Sequence, residues 1–268
     1  FRMIDISIIT VVMNHLPFIR EMLRSLYGEG MPKATFETII VDNCSTDGSF
    51  EFVRDHYPEI RLIRNEHPFG FARNNNIGAA QASGKYILIL NPDIILSPGA
   101  IDGLHRFLES HAEVGIVAPR LENPDGSLQF SVRRFPTLRI LLSRILTRGD
   151  DSSDDRQVQS YLLKDLPHDR PTPIDWCMGA SFLIPSTLYR QLAGFDEGFF
   201  LYVEDMDLCY RCWQSGHPVI YLPTSAMTHV HQRSSMHFNK KTYIHLRSFW
   251  HFFYKNRFRV KSFTSKGE

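Results

Sequence analysis

"FETIIVDNCSTDGSFEFVRDHY" (residues 36–57) decides the fold. Phe36 to Asp42 is an apolar run rich in β-branched residues, the composition of a buried strand. After a polar turn, Asp47 to Tyr57 reads as a helix. The same rhythm runs outward in both directions. Upstream, "ISIITVV" (6–12) is a buried strand followed by a helix that opens near Pro17 and runs to Tyr27. Downstream come a strand at "IRLIRN" (60–65), a helix at "FARNNNIGAAQAS" (71–83) and a strand at "KYILIL" (85–90). Strands alternating with helices in this way predict a mainly parallel sheet with helices on both faces. In such sheets ligands gather at the carboxyl ends of the strands. The polar clusters fall at those ends: Thr10 to Asn14, "VDNCSTD" (41–47), Asn65, and Asn91-Pro92-Asp93.

The second half is less regular. "SPGAIDGLHRFLESH" predicts a helix with Ser97 as its N-cap and Pro98 at its first position. "VGIVAPRL" and "SLQFSV" flank the turn "NPDG" and predict a hairpin. Residues 148–160, "RGDDSSDDRQVQS", are polar and without pattern, and are expected to form a mobile loop. "DWCMGASFLI" (175–184) is strand-like, a helix follows Pro185, and Glu204 and Asp205 open a further helix through "LCYRCWQSG".

Length and composition, 268 residues with 43% hydrophobic and 22% charged, suit one large domain or two small ones. A net charge of +1 gives no global field for nucleic acid, which is not expected as a partner. No run approaches the roughly 18 apolar residues that a membrane span requires. With no leader pattern before the first strand and only Cys44, Cys177, Cys209 and Cys212, the expectation is a reducing cytoplasm. Cys209 and Cys212 form a lone CxxC, read as half-buried helix positions rather than a metal or redox site.

Six segments, in order, resemble family-2 glycosyltransferases of the GT-A fold, in the branch that contains bacterial rhamnosyltransferases. They are "VDNCSTDGS", "NEHPFGFARNNNIGAA", "NPD", "CMGASFLIP", "GFDEGFFLYVEDMDLCYR" and "THVHQRSS", and the likeness runs from about residue 4 to 255. It implies an inverting, metal-dependent transferase of cell-wall or polysaccharide synthesis. It also implies a Rossmann-like catalytic domain over residues 1–236, with a donor-binding half to about residue 95, an acceptor-binding half from about 96, and a C-terminal helix over 237–268.

The resemblance assigns roles residue by residue. Asn91-Pro92-Asp93 resembles the family's Asp-x-Asp motif, which places Asp93 on Mn²⁺ or Mg²⁺ and Asn91 on the donor ribose or diphosphate. An Asx turn ending a strand is the plain structural alternative for these three residues. Asp42 would accept the ring N–H of uracil or thymine, with Asn43 beside it and Thr10, Val11 and Asn14 flanking the base. Arg73 and Asn76 would approach the diphosphate or ribose from a helix N-terminus. Direct displacement at an anomeric carbon needs one carboxylate to take the acceptor proton. That role falls to Asp205, with Glu204 as its rival and Asp207 in support; Asp207 and Arg211 are also spaced to pair along the helix. His229 would reach the metal or diphosphate, with His231 as the other candidate. Trp176, Met178 and Gly179 would line the acceptor side.

The implied partners are a nucleotide-sugar donor, dTDP-L-rhamnose or a UDP-sugar, and a glycan or polyprenyl-diphosphate-linked acceptor. "KKTYIHLRSFWHFFYKNRFRVK" (240–261) interleaves Tyr243, Phe249, Trp250, Phe253 and Tyr254 with Lys240, Lys241, Arg247, Lys255, Arg257 and Arg259. That composition predicts a helix at an anionic membrane surface, peripheral to the inner face of the plasma membrane. Packing on the catalytic domain, or a homodimer contact, is the competing expectation. Two other functions compete with transfer. A sugar-phosphate nucleotidyltransferase would want a Gly-, Arg- and Lys-containing phosphate loop, which "TVVMNHLPF" lacks. A catalytically degenerate sugar-binding module would explain Asn91 in place of an acid.

Overall fold

A computed structural model describes residues 4–147, 150–230 and 240–264. The donor half is β1 (Ile6–Val12), α1 (Leu16–Leu26), β2 (Phe36–Asp42), α2 (Ser49–His56), β3 (Arg61–Arg64), α3 (Phe71–Ala80) and β4 (Tyr86–Leu90). The chain continues through β5 (Ile94–Leu96), α4 (Ala100–Ser110), β6 (Ile116–Glu122), β7 (Val132–Arg133), α5 (Leu138–Leu146) and α6 (Arg156–Tyr161). It ends with β8 (Thr172–Pro173), β9 (Trp176–Cys177), β10 (Ser181–Pro185), α7 (Ser186–Gln191), α8 (Glu204–Gln214), β11 (Val219–His229) and α9 (Lys240–Lys255).

One sheet orders these strands β3-β2-β1-β4-β10-β6-β11-β5, with β8 beside β11. β1 to β4 are parallel, while β10 runs antiparallel to both β4 and β6, and β11 is parallel to β6. It follows that β6 and β11 point the same way as β4. The carboxyl ends of β1, β2, β4 and β11 therefore open on one edge, and so does the amino end of β10. Side chains alternate along each strand, so Ile87 and Ile89 of β4 face one core and Tyr86, Leu88 and Leu90 the other. Helix α3 lies so close on β1 that a Cβ on Gly78 would sit 2.6 Å from Ile9 Cγ2.

Local departures from the sequence reading have physical causes. Helix α4 starts two residues later than expected: Gly99, in the left-handed region at φ 75°, holds the N-cap position. Ser97 and Pro98 form the preceding turn, in which the Ala100 amide donates to the Ser97 carbonyl (3.2 Å). Asp47 does more than cap one helix. Its Oδ1 accepts from the Ser49 amide at the start of α2, and its Oδ2 from the Leu16 amide at the start of α1. The "NPDG" hairpin is only a stub, with one bridge between Glu122 and Leu128, because β7 pairs with β9 instead. The stretch expected to be a mobile loop folds in part into α6, where Asp155 accepts from the Gln157 and Val158 amides and Val158 is fully buried. Two apolar anchors in a six-residue helix leave little period to read.

Helix α9 packs on the catalytic domain. Phe252 is fully buried, Ser248 donates to the Leu201 carbonyl, and Lys255 bridges Asp196 (2.5 Å) and Asp207 (2.8 Å). Phe252→Ala should accordingly cost about 3–5 kcal/mol of stability by cavity formation, read from urea unfolding. A loss below about 1 kcal/mol would mean that α9 is only loosely attached.

Candidate active site at the carboxyl edge of the sheet

Three chain segments meet at this edge. At the end of β2, Asp42 is 1% exposed; its Oδ2 accepts from the Ser45 amide (3.2 Å) and lies 3.7 Å from Arg64 Nε. Its Oδ1 is buried with no hydrogen-bond donor, and so is Thr10 Oγ1 on the neighbouring strand. A buried acceptor without a donor costs about 1–3 kcal/mol, so Asp42 Oδ1 is chemically suited to accept from an N–H-bearing ligand. Val11 is partly exposed beside them.

Several predicted donor contacts turn out to hold the loops. Asn14, in the left-handed region at φ 56°, accepts from the Thr46 amide (2.8 Å) and so ties the first loop to the second. Asn43 accepts from the Phe69 amide and from Asn65 Nδ2, and donates to the Phe69 carbonyl. Asn76 is saturated: Tyr189 Oη and the Phe195 amide donate to its Oδ1, while its Nδ2 donates to the Phe195 carbonyl and Glu197. It pins α3 to the segment before α8, so it has no group left for a diphosphate. Arg73 remains on the surface, over the Phe69 ring at 3.9 Å and 4.0 Å from Glu197.

The second segment follows β4. The Asn91 amide donates to the Ala180 carbonyl (2.8 Å), and its carbonyl accepts from the Ile94 amide. The motif is thus a plain backbone turn rather than an Asx turn, and it leaves Asp93 Oδ1 buried without a hydrogen bond. His229 Nε2, at the end of β11, lies 3.4 Å from that oxygen. Gln129 fixes the histidine: its Nε2 donates to the His229 carbonyl (2.8 Å) and to Asn123 Oδ1 (2.8 Å). Gln129 Oε1 therefore faces His229 Nδ1 at 2.8 Å, which makes Nδ1 a donor and turns Nε2 toward Asp93. A carboxylate oxygen and a ring nitrogen at this spacing suit a divalent ion with mixed ligands. No cluster of three or more His, Cys, Asp or Glu suited to a metal occurs among the described residues. The pair fits an ion whose remaining positions are filled by ligand oxygens. His231, the other candidate, and Ser234 and Ser235 lie outside the described residues.

The third segment opens α8. Tyr202 and Val203 both have positive φ (69° and 74°), a costly conformation for a β-branched valine. They turn the chain so that Asp205 Oδ2 accepts from the Gly179 amide (2.8 Å) and Oδ1 from the Met206 amide (2.8 Å). Asp205 keeps some exposure, and burial raises its pKa, against the two amides and the Arg133 guanidinium, which lower it. Glu204 is 4% exposed with Oε2 unpartnered, and burial, then the Asp205 charge, pushes its pKa up to about 8. Asp207 is fully buried between Arg211 (2.7 Å) and Lys255 (2.8 Å), so it joins α8 to α9 and has no face toward an acceptor. Trp176 is 6% exposed and donates to the Arg134 carbonyl, which makes it core rather than a stacking platform; Met178 is half-buried. Arg133, unremarked in the sequence, lies 5.5 Å from the ring centres of both Tyr161 and Trp176. The cysteines are free, with Cys177 and Cys209 Sγ 4.0 Å apart in the core.

The mostly parallel sheet that sets Asp42 and Asp93 at strand ends and Asp205 on an adjoining helix has the GT-A glycosyltransferase fold. Two solved structures share it: GalNAc-T7 with UDP, GalNAc and Mn²⁺ (TM-score 0.69, 15% identity, 94% of this chain and 48% of that one) and the Pyrobaculum calidifontis mannosyltransferase PcManGT with GDP-Man and Mn²⁺ (TM-score 0.67, 18%, 96% and 65%). Residues 7–166 match Glycosyl transferase family 2, and the chain belongs to that family. It is 28% identical over 207 residues to the N-acetylglucosaminyl-diphospho-decaprenol L-rhamnosyltransferase of Mycobacterium tuberculosis, covering 71% of this chain and 65% of the relative, just under two thirds of its length. It is also 28% identical over 245 residues to rhamnosyltransferase WbbL of Escherichia coli, covering 88% and 87%.

The Glu204 environment has a pH signature. Its folded-state pKa lies above its unfolded value, so the stabilisation it contributes is fully present below the ordinary glutamate range and is lost as pH rises through about 8. Glu204→Gln should therefore flatten the decline in melting temperature across that window. Parallel wild-type and variant curves would place Glu204 in a wetter setting.

Proposed function

We propose that this chain transfers a sugar from a nucleoside diphosphate donor to an acceptor hydroxyl with inversion at the anomeric carbon. The observation that carries this reading is the placement of two donor-starved carboxylate oxygens, on Asp42 and Asp93, along one strand edge, with Asp205 across from them on α8. The names of the relatives favour a rhamnosyl donor; we take dTDP-L-rhamnose as that donor, with a UDP-sugar as the close competitor, since one methyl on the base discriminates weakly. The name of the Mycobacterium tuberculosis relative favours a polyprenyl-diphosphate-linked glycan as acceptor.

Asp42 Oδ1 would accept the ring N–H of uracil or thymine, with Thr10 Oγ1 and Val11 beside the base. Asn91 would face the ribose or diphosphate, and Arg73 can swing from its surface position toward the same phosphates. Asp93 and His229 would hold Mn²⁺ or Mg²⁺, which when bound supplies positive charge against the departing diphosphate. Asp205 takes the acceptor proton as the acceptor oxygen bonds to the anomeric carbon and the bond to the diphosphate oxygen breaks. The Gly179 and Met206 amides aim its carboxylate, and Arg133 favours the ionised form that a base requires. Glu204, held protonated by burial, keeps a second negative charge away from the base.

Two substitutions separate metal holding from proton transfer. Asp93→Ala should remove the Mn²⁺-dependent rise in melting temperature that UDP or dTDP produces, a rise equivalent to about 2.7 kcal/mol at a hundredfold excess over Kd. An unchanged Mn²⁺ response would take Asp93 off the metal. Asp205→Asn should keep that response while turnover falls about 10²-fold or more. Near-normal turnover would transfer the base to Glu204, and no transfer or donor hydrolysis in the wild type, with or without Mn²⁺, would leave only a binding module.

A further inference from the structure

We propose that the outward face of α9 docks on an anionic lipid surface. Leu246, Trp250, Tyr254 and Phe258 are spaced four residues apart and are 51%, 66%, 69% and 50% exposed. Four-residue spacing sets Leu246, Trp250 and Tyr254 in one stripe of the helix, and Phe258, in the turn just past its end, joins them through an edge contact with Trp250 (5.5 Å). They supply four of the seven large exposed hydrophobic side chains among the described residues, gathered on α9 and the turn that follows it. The opposite face is committed to the domain through Ser248, Phe252 and Phe253. The helix is thus a rigid part of the domain, presenting an uncovered aromatic stripe.

Charge selects the occupant. Residues 240–267 contain no aspartate or glutamate. Arg247, Arg257, Arg259 and Lys261 are exposed, and none makes an ion pair among the described residues; Lys255 alone does, turned inward to Asp196 and Asp207. A second copy of the chain, packed by a two-fold axis, would press this cationic face on itself. An anionic bilayer matches it, because Trp and Tyr rings sit at headgroup depth while arginines meet lipid phosphates. No helix among the described residues is long and apolar enough to cross a membrane, so the contact is parallel to the surface. The inner face of α9 covers the Asp196–Asp207 segment, so docking would bring the Asp205 end of the site close to the lipid.

The proposal does not depend on sugar transfer, and its test is independent of it. The protein should float with phosphatidylcholine vesicles containing phosphatidylglycerol and not with phosphatidylcholine alone, and high salt should release it. Of three tryptophans, Trp176 is buried and Trp213 is half-buried with its Nε1 on the Ile174 carbonyl. Trp250 emission should therefore shift to the blue on vesicles and be quenched by brominated acyl chains. Arg257→Ala and Arg259→Ala should each lower partitioning about fivefold. Trp250→Ser with Tyr254→Ser should abolish flotation without altering the melting temperature or its response to UDP and Mn²⁺. No flotation at low salt, or flotation unchanged in the double variant, overturns the proposal. So does a dimer in sedimentation that the double variant dissolves, which would make the stripe a self-association face.

Discussion

The antiparallel seam between β4 and β10 is the constraint on which the site depends. Ser181 sits opposite Leu90, and just past the register the Asn91 amide closes on the Ala180 carbonyl. Beside a parallel partner on this side too, β4 would end freely in a loop. Here an incoming strand of the second half meets it head-on, and so the end of one strand and the start of the other share one point in space. Asp93 leaves that point on one side and Gly179 enters it on the other, carrying Asp205 by a single backbone hydrogen bond. A slip of one residue would turn every side chain of β10 to the opposite core and move Gly179 off the carboxylate. The buried alternation of Ile87, Ile89 and Phe182 against Leu88, Leu90 and Leu183 makes such a slip costly.

The edge is also where the molecule tolerates its least favourable local states. Thr10 Oγ1, Asp42 Oδ1, Asp93 Oδ1 and Glu204 Oε2 are buried without donors, and Tyr202 and Val203 sit in the left-handed region. Each would cost about 1–3 kcal/mol in isolation. They survive because the sheet and two continuous cores over-determine the backbone around them. The Gly70 contact shows how tight that is: a Cβ there would lie 2.3 Å from the Phe200 carbonyl oxygen, so the donor-side loop and the strained turn before α8 are in direct backbone contact.

Much of this was legible in the sequence, for a definable reason. Continuous apolar strands such as "YILIL" and the strand–helix alternation are local patterns, and the parallel sheet follows from them with its polar carboxyl edge. Asp42, Asp93, Asp205 and His229 could be singled out because each closes or opens an element. What escaped is what depends on contacts far apart in the chain. Gln129 gains its place only because residues one hundred apart meet, and nothing in "SLQFSV" announces it. Asn43 and Asn76 have the side chains of ligand contacts but are used as pins, which only their saturated hydrogen bonds reveal. Asp207 looked like a third site acid until Lys255, from a helix 48 residues on, appeared beside it.

That last pair explains why the C-terminal helix cannot be treated as an appendage. Asp207 is fully buried with two cations on it, and a buried carboxylate deprived of one partner is far more costly than a surface ion pair is worth. Lys255 arrives from α9 and Arg211 from α8 itself, where Arg211 also donates to the Leu192 and Gly194 carbonyls. Helix α9 therefore completes the charge balance beneath the same helix that presents Glu204 and Asp205 at its first turn. The register of α8 along its axis, and with it the height of Asp205 above the strand edge, is held at two points: by the Gly179 amide on Asp205, and by the Asp207–Arg211–Lys255 cluster, which runs from the first turn into the turn below.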